Sequence, residues 1–574
     1  MSSTRSFLLL ALAAVAYLLY SAWEQDYGAK PAAPEPVATS ATTTAPAGTT
    51  GGNDVPAAVS AAAATAAAAD AGAGAGAGAG AAPAAQTIDV QTDVLRVAIS
   101  TAGGSLVRAD LLAYPIDPKD KTRPVRLFDD SGAHYFVAQT GLVSGNGAAP
   151  SHKAVFSAEK TDYQLAPDAD KIEVPLTWTD PSGVRVRKVY IFTRGSYLVE
   201  AREEVANAGA APWTGNEYRQ LQRVAPPKPA GGMFSMYNPE AYAFVGAAWY
   251  AQGKFNKLAF AKYADSTLKN TEVTGGWVAM LQHYFFAAFI PAANETDQYS
   301  TLATSADGAE HYMIRAMSPA QTIAPNATGT FATRLYVGPK LQSDLAHIAP
   351  GLDLTADYGI LTFIAQPIHW ILVQLHKLTD NWGVAIVLLV LLIKLALYKP
   401  SEAQYRSMAK MKQFQPRMEA LKERYGDDKQ KLNTAMMELY KKEKINPLGG
   451  CLPILIQMPI FFALLWVLQE SVELRQAPFF GWIQNLSAPD PLFILPILNG
   501  VAMLATQWLS PASPGMDPMQ QRMMKAMPLI FAVMFAFAPA GLTLYWTVNG
   551  WLSLLQQWII SKRVGAATAA PAKS

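Results

Sequence analysis

The sequence predicts a polytopic α-helical membrane protein of six spans, with a large antiparallel β-sandwich domain outside the bilayer and a helical hairpin in the cytoplasm. Three observations carry this prediction. Residues 358–561 hold repeated apolar runs close to the roughly 20 residues that a bilayer core requires. Residues 88–345 instead alternate polar and apolar side chains with period two between Gly and Pro breaks. Lys and Arg gather in some loops and avoid others, as the positive-inside rule demands of a spanning protein. Whole-chain averages of 51% hydrophobic, 16% charged and a mean hydropathy of +0.11 blend these unlike halves. A net charge of +2 gives no basis for direct sequence-specific nucleic-acid binding. The single cysteine, Cys451, excludes an intramolecular disulfide and reads as a packed thiol.

In order, residues 1–6 form a cytoplasmic N-terminus and residues 7–23, FLLLALAAVAYLLYSAW, a transmembrane anchor. Ala14-Val15-Ala16 has the small residues of a signal cleavage site, but the apolar run continues through Tyr-Leu-Leu-Tyr at 17–20, which favours retention over cleavage. Residues 24–87, Ala-, Pro- and Gly-rich with few large apolar side chains, read as a disordered linker outside the membrane. Within the sandwich domain at 88–345, Leu95, Val97 and Ile99 share one strand face, and VRVRKVYIFT, Arg194-Gly195-Ser196, YLVEAREEVAN is the clearest hairpin.

Residues 358–378 are apolar but interrupted by Gln366, Pro367 and His369, so they predict an amphipathic helix lying in the interface. A second span follows at 380–399. The cytoplasmic hairpin at 400–447 carries twelve Lys and Arg residues over 399–444; Ser401 with Gln404 has a capping-box pattern, Pro416 bends the first helix, Gly426 stops it, and Asp427 or Asp428 caps the next. Met408, Met411 and Met418 form a stripe that serves either as the hairpin's own seam or as an adaptable partner surface. A third span at 448–469, an outer loop at 470–490 and a fourth span at 491–509 come next. A cytoplasmic loop at 510–526 precedes spans at 527–540 and 541–561 and a basic tail at 562–574. The last two arise because Pro539 and Gly541 can fold one long apolar stretch into a hairpin that keeps the tail inside.

No GxSxG, HExxH or Walker motif appears, so the chain does not read as an enzyme, and no metal site is expected. What stands out is Lys394 inside NWGVAIVLLVLLIKLALYKP. It either snorkels to the inner headgroups or belongs to a wet cavity with Gln457, Thr506, Gln507, Asn549, Gln556 and Gln557, which the predicted topology places in the same leaflet. The outer halves are almost wholly apolar, which argues against a channel. Two other classes stay open. A membrane-anchored binding protein or carbohydrate-active enzyme would use residues 88–345, with His283 or Glu272 as its lone candidates; a transporter would show inverted repeats, and none is seen.

NWGVAI, YGDDKQKL, KINPLGGCLPILIQMPIFFALLW, SVELRQAPFFGWIQNLSAPDP, DPMQQRMMKAMP and LYWTVNGWLSLLQQ together resemble the YidC/Oxa/Alb family of membrane protein insertases. GGWVAMLQHYFFAAFIP, LYVGPK and LDLTADYG resemble its Gram-negative form. The resemblance implies a five-helix insertase core, a periplasmic β-supersandwich and residence in the inner membrane. It also implies chaperone and insertase action on nascent integral membrane proteins, alone or with the Sec translocon (SecYEG, SecDF) and the ribosome, against the lipid bilayer and with no cofactor. It makes Lys394 the counterpart of the family's groove arginine, with the charge kept and the bidentate fork lost. Val390 stands where some members have a polar residue, and Tyr545 and Trp546 match an aromatic pair associated with substrate contact, whose alternative role is helix packing. The expected groove is thus Lys394, Gln457, Tyr545, Trp546 and Asn549.

Overall fold

The computed structural model describes residues 54–58, 85–227, 243–265, 267–306, 308–426, 428–442, 452–509 and 518–569. The expected anchor at 7–23, most of the linker, Cys451, and the side chains of Met408 and Met411 lie outside the described part.

Among the described residues the β region forms two sheets, of eleven and nine strands. In the larger, Trp213–Val224 lies between Phe136–Ser144 and Ala309–Met317; in the smaller, Ala327–Pro339 lies between Leu198–Asn207 and Phe285–Ile290. All the strand pairs are antiparallel except Thr87–Gln91 with Asp162–Gln164. Alternation decides which side chains face the other sheet. Leu95, Val97 and Ile99 are buried there, as their spacing requires. The predicted hairpin forms with Val199 opposite Phe192; Gly195, at φ +68°, takes the left-handed conformation that the turn needs, and its N–H donates to Asp93. The core also holds charge. Lys188 and Glu203, both fully buried, pair at 3.0 Å, and Arg219 binds Glu217, Glu295 and Asp297.

The helical region comprises α1 (Gln342–Ile348), α2 (Thr362–Thr379), α3 (Trp382–Ala396), α4 (Tyr398–Gln413), α5 (Gln415–Tyr425), α6 (Lys429–Lys442), α7 (Leu452–Glu470), α8 (Ile494–Leu509), α9 (Pro518–Phe535) and α10 (Ala540–Ala569). Helix α2 buries Ala365, Ile368, His369 and Leu372 on one face and exposes Phe363, Trp370 and Leu378 on the other, a division that suits an interfacial helix.

Among the described residues no single helix is long and apolar enough to cross a membrane. Six straight spans were expected, and the differences have physical causes. The second span does not continue to residue 399: α3 has 15 residues, about 22 Å at 1.5 Å per residue, and after Ala396 the chain bends by 66° into α4. Helix α10 is long enough, but Asn549, Gln556 and Gln557 dilute its apolarity. The apolar part of α9, Lys525–Phe535, is about 16 Å long. The turn at Pro539 is strapped down, since the N–H groups of Ala540 and Gly541 donate to Ala488 and Leu486 of the preceding loop.

In the hairpin of α4, α5 and α6, α4 begins at Tyr398, and the Ser401 N–H donates to the Leu397 carbonyl just before the helix. Ser401 is therefore not an N-cap, because Pro400 fits the first turn, where no N–H is needed. The first helix breaks at Phe414, just before Pro416, and Asp428 caps α6 by accepting from Gln430 and Lys431. Met418 is buried against the Tyr440 hydroxyl, which donates to its sulfur at 3.6 Å. It is thus part of the seam and not an accessible partner surface.

Candidate functional site

Asn381 starts the element that carries the cation. Its side-chain oxygen accepts from the Val384 N–H at 3.1 Å and caps α3, while its amide donates to the Phe479 carbonyl at 3.0 Å. Gly383 lies so close to the Phe479 ring that an added Cβ would fall 2.0 Å from it. The N-terminal end of α3 is thereby fixed, and Lys394 falls in the last turn of the helix, where the negative end of the helix dipole favours a cation.

Lys394 is half-buried against α10. Its ammonium donates to Ser553 Oγ at 2.7 Å, and Ser553 in turn donates to the Asn549 carbonyl at 2.6 Å. The Tyr405 hydroxyl of α4 also reaches Ser553. No acidic side chain pairs with Lys394 among the described residues. A cation and two hydroxyls thus meet where α3, α4 and α10 converge, just before the 66° bend.

The other expected groove residues divide. Asn549 is half-buried one turn from Ser553 and joins the Lys394 chain through its carbonyl. Gln457 is half-buried on α7, and among the described residues no hydrogen bond links it to Lys394. Tyr545 is a core residue in this structure, stacked on Phe461 at 6.3 Å, and so departs from the groove expected of it; Trp546 is partly buried, edge-on to Phe461 at 4.8 Å and near Phe535 at 5.2 Å. Their packing role comes from Phe461 on another helix, which local sequence does not reveal. Thr506 turns its hydroxyl back to the Ala502 carbonyl.

Sequence reasoning missed Ser553, Tyr405 and Asn499. A helical serine that bonds its own preceding turn gives no distinctive signal. Asn499, which is buried on α8, has a side-chain oxygen without a hydrogen bond, and a Cβ at Gly550 would come within 3.7 Å of it. Also unforeseen is an apolar groove of about 510 Å³ lined by Trp508, Trp551 and Trp558.

A second polar cluster joins the β domain to the helices. His283 approaches the Gln469 carbonyl at 3.1 Å, Lys340 meets Glu470 at 3.7 Å, His369 meets Glu473 at 3.8 Å, and Lys257 pairs with Asp357. Burial pushes Glu473 up to about 7, His369 down to about 4 and His283 down to about 3. His283 is therefore a junction residue, bonded through Nε2 while its Nδ1 is buried without a partner, and Glu272 is exposed on Thr271–Thr274, an edge strand of the larger sheet, whereas His283 follows a strand of the smaller one.

Two family models match: the YidC periplasmic domain over residues 87–371 and the 60Kd inner membrane protein over residues 374–567. A membrane protein insertase YidC from Thioalkalivibrio sulfidiphilus is 46% identical over 98% of this chain and 99% of its own. One from Stenotrophomonas maltophilia is 48% identical over 100% of this chain and 99% of its own. A crystal structure of an active YidC insertase with its first transmembrane domain resolved aligns at 18% identity and a TM-score of 0.36, covering 82% of this chain and 91% of that one.

Proposed function

The chain belongs to the YidC family of membrane protein insertases, and from that premise we propose that it moves hydrophobic segments of new proteins into the inner membrane through a groove at the inner ends of α3, α4 and α10. The observation that carries this reading is the position of Lys394, drawn inward by Ser553 with no carboxylate to neutralise it. In the proposed topology the six spans, the cytoplasmic termini and the basic hairpin put this cation in the inner leaflet, with the β domain in the periplasm.

The work is electrostatic and hydrophobic. Lys394 attracts the acidic or polar leading region of an incoming chain, and the neighbouring hydroxyls and Asn549 lower the cost of that region entering the leaflet. The short α3 and the short apolar part of α9 favour a thinned bilayer, which shortens the distance that the polar region must cross. The apolar segment then leaves sideways into lipid. Partnership with the Sec translocon and the ribosome belongs to the same proposal, with the basic hairpin as the cytoplasmic contact.

Lys394→Ala should slow insertion of a Sec-independent substrate into proteoliposomes about tenfold, the loss of a charged hydrogen bond of roughly 1.5 kcal/mol, while Lys394→Arg keeps it. Normal insertion by the alanine variant would sink the role. Photocrosslinking of a stalled nascent membrane protein from positions 394 and 457, but not from 545, is the companion expectation.

A further inference from the structure

The β domain contains a cleft of about 820 Å³ that neither the proposed groove nor the sheet packing accounts for. Six arginines line it, Arg96, Arg108, Arg123, Arg126, Arg223 and Arg475, against two aspartates, Asp110 and Asp129, a surplus of four positive charges. Both aspartates are already engaged: Asp110 accepts from Arg108 at 2.7 Å and from Arg126 at 2.8 Å, and Asp129 lies 3.5 Å from Arg126.

Arg223 is the informative member. More than nine-tenths buried, it lies over the Phe136 ring at 4.6 Å and spends one nitrogen, Nη2, on the neutral Gln282 at 2.6 Å. Its Nη1 is buried without a hydrogen-bond partner, and no carboxylate offsets its desolvation, so burial alone pulls it down to about 10. Two other arginines of the domain are buried: Arg219 is held by three carboxylates, and Arg315, as buried as Arg223, donates to Gln220 and to the Asp54 carbonyl, so among the described buried arginines Arg223 alone keeps a buried nitrogen without a partner. A buried guanidinium with an unused donor in the wall of a cleft is a costly arrangement unless an anion completes it.

We propose that this cleft is a phosphate-ester site, in which Arg223 supplies the buried fork and the Arg108/Arg126 pair and Arg475 supply the rim. Phosphate is favoured over carboxylate because it carries more negative charge and presents oxygens to several forks at once, as arginines arriving from separate strands and a loop require. The walls between the arginines are apolar, including Val125, Val245 and Phe285, which suits an ester with a carbon body. Arg475 belongs to the loop just after α7 and bonds Pro115 at 2.8 Å, so in the proposed topology the cleft opens beside the outer headgroups. The ester is then either a lipid headgroup or a soluble phosphate ester.

The test uses the full-length protein in nanodiscs of phosphatidylcholine and in nanodiscs containing phosphatidylglycerol, with glycerol 3-phosphate titrated by calorimetry and bound lipid read by native mass spectrometry. Wild type should bind glycerol 3-phosphate in phosphatidylcholine discs if the source is soluble, or retain phosphatidylglycerol selectively if the source is lipid. Arg223→Gln should weaken binding at least tenfold without lowering the unfolding temperature, whereas Arg223→Lys should keep part of it. Absence of both bindings, equal binding by Arg223→Gln, or preference for a glutamate-rich peptide over the phosphate ester would overturn the proposal.

Discussion

Ser553 governs where the charge of Lys394 resides. A lysine near a helix end could reach for the headgroups, but the 2.7 Å bond turns this ammonium toward α10. Ser553→Ala should therefore loosen Lys394 and slow insertion roughly fivefold, about 1 kcal/mol, less than removal of the lysine itself, since Tyr405 and the Asn549 carbonyl stay nearby. Insertion kinetics in proteoliposomes decide this, and an unchanged rate would restore snorkelling as the lysine's role. Lys394 was legible in the sequence because a charge in an apolar run violates a local pattern. Its partner was not, because a serine in a helix violates none, and the sequence leaves Tyr545 between substrate contact and packing because its burial depends on Phe461, more than 80 residues away in the chain.

Elements were legible in kind more than in extent. Period two marked the strands, Pro539 and Gly541 marked the α9–α10 turn, and mixed polarity marked α2 as a helix with two unlike sides. The bend after Ala396 was not visible, because the apolar run passes through it without Gly or Pro. The helix α2 and the loop after α7 meet at His369 and Glu473, and here pH should act. Glu473, raised from 4.5 to about 7, holds its proton in the folded state after the unfolded chain has released it, so its contribution to stability falls as pH rises from about 4.5 to 7 and is level above. His369 and His283, both lowered, act in the opposite sense, adding stability as pH rises to about 6.5, while Glu470 is raised and Lys340 lowered by the same burial. Comparing Glu473→Gln with wild type isolates the one group. The variant's unfolding temperature should gain on wild type between pH 5 and 7, and a constant difference across that range would refute the assignment.

At the scale of the whole molecule, the β domain meets the helices at the polar junction of His283, Lys340 and Glu470 and meets the loop after α7 at Pro115. Excising residues 88–339 should leave insertion of a Sec-independent substrate within about twofold while lowering the unfolding temperature, because Gln469 loses His283 and the 475–476 loop loses Pro115. Loss of insertion with intact folding would instead put the working part in the β domain. The loop at 475–490 contacts three bodies: Pro115 of the β domain through Arg475 and Gln476, Asn381 and Gly383 at the head of α3 through Phe479, and Ala540 and Gly541 at the head of α10 through Leu486 and Ala488. The last turn of α3 and the middle of α10 are joined by Lys394 and Ser553. The loop is thus a shared footing for the β domain and for the heads of both helices, so in the proposed topology the Lys394–Ser553 bond closes a frame whose other side is this loop.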